Sequence, residues 1–231
     1  MPSRLIRTSA LADVSDTGTV YRRMEETTPM DQWSLYFKRK AEAQYPLEPS
    51  ATLVAALKAF VREDFTGLAL DLGSGTGGET MHLLRSGWNV IALDHHPEAI
   101  ASLQANAPAG SEERLTPVQQ KFECFQAAQV PALDLINASH SLPFCPPQYF
   151  PAFWQEIKAS LRSGGRFCGH FFGIRDDWRH ASGLTFQSRD DLDQLLTGFT
   201  PELVEEHEHD ARSVAGPIKH WHIFSVVARR C

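Results

Sequence analysis

A run of glycines directly after an apolar stretch is the feature of this sequence that points most clearly to chemistry. Leu68–Leu72 is typical of a short buried strand, and a helical pattern begins near Glu79. Glycines at a strand-to-helix turn let the backbone approach a ligand closely and direct N–H groups toward it. Gly73, Gly75 and Gly78 also fit the G-x-G-x-x-G nucleotide-binding pattern, which alone is a weak signal. A tight turn without a ligand is the simpler alternative.

Two carboxylates narrow the choice of ligand. Asp71 stands two residues before the first glycine, where it would repel a pyrophosphate but attract the cationic amino group of an amino acid. Asp94 ends a second apolar run, Trp88–Leu93, roughly 20 residues after the glycines, where a fold of this kind presents a carboxylate to ribose hydroxyls. A solvated charge at a strand end is the alternative for Asp94, and a nicotinamide enzyme is a rival that Asp71 disfavours.

The run from Asp71 to Gly77, acid-x-Gly-x-Gly-x-Gly, resembles the cofactor loop of class I S-adenosylmethionine (SAM) methyltransferases. The resemblance extends over residues 30–231 and implies an α/β, Rossmann-like fold with helices on both faces of a seven-stranded mixed sheet. The implied strand order is 3-2-1-4-5-7-6, with strand 7 antiparallel. Within the superfamily, the second half of the chain is most similar to small tellurite-resistance-type methyltransferases, through Leu184-Thr185-Phe186 and the run from Val226 to Arg229.

The same resemblance assigns residues to the parts of SAM. The methionine part would be held by Asp71, Gly73, Gly75 and Gly77, and the ribose by Asp94. Further residues predicted to contact SAM are Ser74, His95, Phe122, Glu123 and Asn137. Phe122 and Glu123 would lie at the adenine edge, although Lys121 departs from the acid that many family members carry there. A surface lysine and a core phenylalanine are the alternative interpretation of that step.

Hydrophobic periodicity predicts the elements that position these residues. Further helices are predicted over residues 51–61, 97–104, 148–161 and 188–196. Further strands are predicted over residues 115–122, 134–140, 165–173, 201–209 and 220–228, the last two antiparallel.

The acceptor side of the site is predicted after the fourth and fifth strands, because ligands of open α/β sheets sit at the carboxyl ends of strands. Asn137 would fall beside the methyl group, and His140 and Phe144 near the acceptor. His140 is a candidate base for an acceptor that must lose a proton, with a merely solvated histidine as the alternative. Arg175 and Trp178 follow the fifth strand and are predicted to face the same cleft.

The N-terminal part of the chain is predicted to form an arm or helical cap over residues 1–45, with the SAM-binding domain over residues 46–231. Trp33 and Tyr36 share one face of a predicted helix in this cap. They are candidates for the acceptor pocket, and ordinary packing is the alternative.

Four histidines near the C-terminus lie on the last two predicted strands. With a turn centred near residues 214 and 215, His207 would lie opposite His222 and His209 opposite His220, all on one face. That spacing could bind a transition metal. A polar hairpin without metal is the prediction, because neighbouring glutamates already make the first of the two strands polar.

Composition and net charge limit the number of domains, the class of partner and the cellular location that we expect. A chain of 231 residues, 42% of them hydrophobic, can form one domain, or one domain with a small cap. The net charge of −6 gives no reason to expect a nucleic-acid or membrane partner. Four scattered cysteines predict reduced thiols and a cytoplasmic location, and no apolar run approaches the length of a membrane span.

The sequence therefore predicts SAM-dependent methylation of a small-molecule acceptor, with no metal. One alternative is a SAM-using enzyme in which the cofactor's own amine closes a small ring, such as azetidine-2-carboxylate, and releases methylthioadenosine. The other is a SAM-binding protein without catalysis. The acceptor and the oligomeric state stay open.

Overall fold

The computed structural model describes residues 48–213 and 218–231. In this part of the chain the helices are α1 (Ala51–Arg62), α2 (Gly78–Arg85), α3 (Pro97–Asn106), α4 (Phe150–Ser160) and α5 (Arg189–Leu195). The strands are β1 (Leu68–Leu72), β2 (Asn89–Asp94), β3 (Leu115–Gln119), β4 (Leu133–Ala138), β5 (Leu161–Gly173), β6 (Phe186–Gln187), β7 (Phe199–Arg212) and β8 (Ile218–Arg230). The predicted cap, with Trp33 and Tyr36, lies outside the described residues. None of the described helices is long and apolar enough to cross a membrane.

The strands form one mixed sheet in the order β3-β2-β1-β4-β5-β8-β7. Strands β1 to β5 run parallel, and β8 lies antiparallel to both β5 and β7. This confirms the predicted order, with β7 and β8 in the places of predicted strands 6 and 7. The eighth strand, β6, pairs with the end of β5 and is only two residues long, too short to give a periodic pattern.

Both faces of the sheet are covered, and each face has its own helices. On one face, α4 and α5 pack against the sheet in a cluster that includes Trp154 and Phe167. On the other, α1, α2 and α3 form a second cluster that includes Phe60 and Ala69. Strands buried on both faces read as nearly continuous apolar runs, which is why β1, β2 and β4 are visible in the sequence.

The C-terminal hairpin has a register one residue away from the predicted one. His222 pairs with Glu208 and His220 with Asp210, whereas His207 and His209 pair with Ile223 and Trp221. A shift of one residue moves a side chain to the other face of a strand, so the four histidines are divided between the two faces. The predicted alignment of all four histidines on one face is therefore wrong.

Two strand boundaries also differ from the prediction. β3 ends at Gln119 rather than Phe122, because Phe122–Cys124 forms a 3₁₀ turn in which the Phe125 N–H donates to the Phe122 carbonyl at 3.1 Å. β5 begins at Leu161, where the sequence predicts the end of a helix. Its first residue pairs with Leu133, ahead of a register shift between these two strands.

Candidate active site

The glycine loop between β1 and α2 needs glycine for both conformation and space. Gly73 and Gly77 have φ angles of +70° and +92°, which side chains of L-residues rarely adopt. The Gly73 N–H donates to the Leu93 carbonyl at 2.8 Å, which places the loop across the end of β2. A Cβ at Gly73 would lie 2.4 Å from the Cβ of Ser141, so the loop also passes too close to the chain after β4 for a larger residue.

Asp94, the last residue of β2, holds this loop and also lines the adjoining cavity. Its Oδ2 accepts a hydrogen bond from the Gly75 N–H at 3.0 Å, and its Oδ1 accepts one from the His96 N–H at 2.9 Å. Each carboxylate oxygen can accept a second hydrogen bond. The carboxylate is therefore fixed by the backbone and can still accept a hydroxyl from the cavity.

Asp71 lies in the buried layer beneath the loop. The Thr80 hydroxyl donates to its Oδ2 at 2.5 Å, and the Asn137 side-chain amide donates to its Oδ1 at 2.8 Å. Asn137 is its neighbour on β4 and is itself completely buried. Burial, followed by the nearby negative charge of Glu79, raises the pKa of Asp71 to about 7. Asn137, which the sequence predicts beside the methyl group, is thus a hydrogen-bond partner of this carboxyl.

A cavity of about 270 Å³ opens where β1, β2, β3 and β4 end. It brings together eight residues that the sequence predicts for the site: Gly73, Gly75, Asp94, His95, Phe122, Glu123, His140 and Phe144. Its other lining residues are His96, Gln120, Lys121, Ser139, Ser141 and Pro146. Of these, Lys121 belongs to the step that the sequence predicts at the adenine edge. The other five are not predicted, although all except Pro146 lie within three residues of a strand end, which is the signal that could have found them. Ser74 and Gly77 belong to the loop without lining the cavity.

His140, which lines the cavity, stacks on the ring of a second histidine, the buried His170. The His140 ring lies parallel to that of His170, with centroids 3.8 Å apart and an interplanar angle of 4°. The His140 backbone N–H donates to His170 Nδ1 at 3.3 Å. His140 is exposed toward the cavity, yet the protein crowded around its ring lowers its pKa to about 4 by desolvation. His140 is therefore neutral near pH 7, and its ring is a weak base.

Arg175 and Trp178, predicted to face the cleft, do not line this cavity. The Arg175 guanidinium lies over the C-terminal hairpin, where it pairs with Glu206 and Glu208. Trp178 packs against Lys219, whose Nζ is 4.0 Å from the centroid of the indole ring. The loop after β5 turns toward the hairpin because the buried Asp176 accepts hydrogen bonds from the Trp178 N–H and from Lys219 Nζ.

The residues present fit SAM as a ligand. The backbone of the glycine loop can come close to a ligand, and Asp94 presents a carboxylate to the cavity. Phe122 forms an apolar part of the lining, and its ring stacks on that of Phe153 at a centroid distance of 4.9 Å. In addition, the Ser74 hydroxyl is buried and has no hydrogen-bond partner in the part of the chain that the structure describes. A buried hydroxyl of this kind is commonly paired with a ligand or water.

Comparison with known proteins agrees with this arrangement. Residues 69–165 match a family model described as a methyltransferase domain. Methyltransferase ptaI of Pestalotiopsis fici is 32% identical over 114 residues, which are 46% of this chain and 32% of that protein. The crystal structure of TehB from Haemophilus influenzae superposes with a TM-score of 0.66 at 16% identity, covering 79% of this chain and 63% of that one.

A third match covers nearly the whole chain. The Burkholderia thailandensis 1,6-didemethyltoxoflavin-N1-methyltransferase, crystallised with 1,6-didemethyltoxoflavin and S-adenosylhomocysteine, superposes with a TM-score of 0.60 at 23% identity. The alignment covers 97% of this chain and 93% of that one. By contrast, the chain spans about a third of the fungal relative and less than two thirds of TehB.

The described fold is therefore the one seen in the solved methyltransferases TehB and 1,6-didemethyltoxoflavin-N1-methyltransferase, at identities of 16% and 23%. Within this fold, residues 69–165, fewer than half of the chain, match the methyltransferase domain model.

Proposed function

We propose that this protein transfers a methyl group from SAM to a small-molecule acceptor. The observation that carries the proposal is one cavity that is lined by the glycine loop and Asp94 together with His140 and Phe144. The loop and Asp94 suit a nucleoside with an amino-acid tail, and His140 and Phe144 offer a neutral imidazole and an aromatic ring. Bound SAM would supply the methyl group as a sulfonium, the reactive donor of this chemistry.

The cofactor side would act by binding and orientation. Asp94 would accept hydrogen bonds from ribose hydroxyls, and the half-buried Phe122 would lie against the adenine. Asp71 would stabilise the positive end of the methionine part from beneath the loop. Because a displacement at a methyl carbon depends on alignment, holding donor and acceptor at near-attack distance can contribute on the order of 7–11 kcal/mol.

The acceptor side would bind a small molecule and receive its proton where one must leave. The cavity holds about 270 Å³ in the described part of the chain, and solved methyltransferase neighbours include one with a bound small heterocycle. We also propose a cytoplasmic location, since all four cysteines are unpaired. The acidic net charge favours a small-molecule partner over nucleic acid.

The product formed from SAM tests this function. The purified protein is first titrated with SAM and S-adenosylhomocysteine by calorimetry, and then incubated with SAM alone and with pools of small metabolites. Methyl transfer gives S-adenosylhomocysteine in amounts that depend on the metabolite pool. Methylthioadenosine from SAM alone would support ring closure instead, and binding without either product would support a non-catalytic protein.

A variant of Asp94 tests whether this carboxylate binds the ribose of the cofactor. Asp94→Ala should weaken the binding of SAM and S-adenosylhomocysteine together, because both carry the same ribose. Loss of binding for one of them alone would contradict the role given to Asp94.

A further inference from the structure

His140 has a backbone conformation that requires support from its surroundings. Its φ angle is +54°, a left-handed conformation that is unfavourable for residues other than glycine. The next residue, Ser141, is anchored on one side because its hydroxyl donates to the Leu72 carbonyl at 2.5 Å. Support on the other side comes from His170, a buried residue of β5.

His170 contacts His140 in two independent ways. Its Nδ1 accepts the backbone N–H of His140 at 3.3 Å, which satisfies the donor that the left-handed turn exposes. Its ring also lies flat against the His140 ring, which restricts the imidazole to one plane. One contact fixes the backbone and the other fixes the side chain.

The surroundings keep His170 neutral, so that Nδ1 stays an acceptor. Burial, with the neighbouring His140 and His207, lowers the pKa of His170 to about 2. His207 reaches this region from β7, where its Nε2 lies 3.1 Å from Glu205. An acceptor at Nδ1 places the single proton of a neutral imidazole on Nε2.

We propose that His170 is a positioning residue that holds His140 in the orientation in which it contacts the methyl acceptor and takes the acceptor's proton. The proposal rests on the proposed function and extends it to a second histidine, which is buried and does not line the cavity. The proton passes from the acceptor atom to a ring nitrogen of His140 and then to solvent, so the protein is unchanged after each turnover.

Two substitutions separate the two contacts. His170→Asn keeps a hydrogen-bond acceptor close to the position of Nδ1 and removes the stacked ring. His170→Phe keeps a stacked ring and removes the acceptor. We expect both variants to fold, to bind SAM with unchanged affinity and to lose turnover by at least tenfold in kcat, with His170→Asn retaining more activity than His170→Ala.

A double-mutant cycle tests whether His170 acts through His140. If it does, His140→Ala combined with His170→Phe is no slower than His140→Ala alone, because the positioned group is already missing. Multiplicative losses in the double variant would overturn the proposal, as would full activity in His170→Phe and His170→Ala.

A titration of the histidine ring signals by NMR tests the same geometry without turnover. His140 should resist protonation down to about pH 4 in the wild type. Its pKa should rise in His170→Asn, where water replaces the stacked ring, and should stay low in His170→Phe. An unchanged titration in all variants would overturn the positioning role. Absence of methyl transfer in the wild type, with these shifts present, would contradict only the proposed function.

Discussion

Two buried carboxylates, one beneath the glycine loop and one in the loop after β5, differ in the groups with which they pair. Asp71, beneath the glycine loop, accepts hydrogen bonds from the neutral side chains of Thr80 and Asn137. Asp176, after β5, is completely buried and pairs with the ammonium of Lys219. The first carboxylate has its pKa raised to about 7 by burial. The second is paired with a cation supplied by the chain itself.

The surroundings of Lys219 show that the Asp176 pair is part of the packing. Its Nζ lies 3.9 Å from the centroid of Trp221, 4.0 Å from that of Trp178 and 5.4 Å from that of Phe172. Cations contacting aromatic faces in this way are stabilised electrostatically. Asp176 thus has a cationic partner within the protein. Asp71, by contrast, is a buried acid whose side-chain hydrogen-bond partners are neutral. A cationic ligand group is therefore expected at Asp71 and not at Asp176.

The largest effect is expected at the hairpin pair. Lys219→Met keeps much of the side-chain volume but leaves the Asp176 carboxylate buried without a cation. We expect the free energy of unfolding to fall by about 3–5 kcal/mol, measured by denaturant titration at neutral pH. Adding Asp176→Asn to this variant should recover part of the loss. A Lys219→Met protein as stable as the wild type would contradict the pairing.

The second expectation concerns the pH dependence of stability at Asp71. Its pKa is about 7 in the folded protein and near 3.9 in an unfolded chain. Between these values only the unfolded state loses its proton, so the folded state loses about 1.4 kcal/mol of stability for each pH unit of increase. This stability is fully present below about pH 4 and lost above about pH 7.

Asp71→Asn isolates this contribution, because the amide does not titrate. The difference in unfolding free energy between variant and wild type should shift in favour of the variant as the pH rises from about 4 to 7. A difference that stays constant over this range would mean that Asp71 is ionised throughout.

Asp71→Asn should also weaken the binding of the cofactor. This loss of binding free energy should be smaller than the gain in stability that the substitution gives at neutral pH. Asp71→Asn removes the charge that would pair with the methionine ammonium, and a charge-assisted hydrogen bond contributes about 1.5–3 kcal/mol. We expect SAM to bind about 10- to 150-fold more weakly by calorimetry, and wild-type affinity to rise as the pH passes through about 7. Asp193→Asn, the same change at an exposed carboxylate of α5, should leave the affinity unchanged.

The two regions also differ in how far they can be predicted from the sequence. The loop region is encoded locally: Asp71 and the glycines are contiguous, and Asp94 ends the next apolar run. Their positions follow from two successive strands with one turn and one helix between them. The strand order could be predicted too, but only through the resemblance of the glycine loop to that of class I SAM methyltransferases, which implies the order of the whole sheet.

The hairpin region depends on contacts between residues distant in the sequence. The faces of the histidines follow from a register set by the turn, and an error of one residue reverses them. Likewise, Asn137 could be placed at the end of β4, but its pairing with Asp71 depends on the alignment of β1 with β4. The stacking of His140 on His170 also joins the loop after β4 to β5, and no local pattern reveals it.

The smallest effect is expected at Arg175, where the sequence and the structure give different roles. The sequence places this residue in the acceptor cleft, whereas the structure pairs its exposed guanidinium with Glu206 and Glu208. Exposed ion pairs contribute little to stability because solvent screens them. Arg175→Ala should therefore leave SAM affinity and turnover unchanged and lower the unfolding midpoint only slightly. A reduced kcat with unchanged stability would return Arg175 to the acceptor site and show that the hairpin closes over the cavity during turnover.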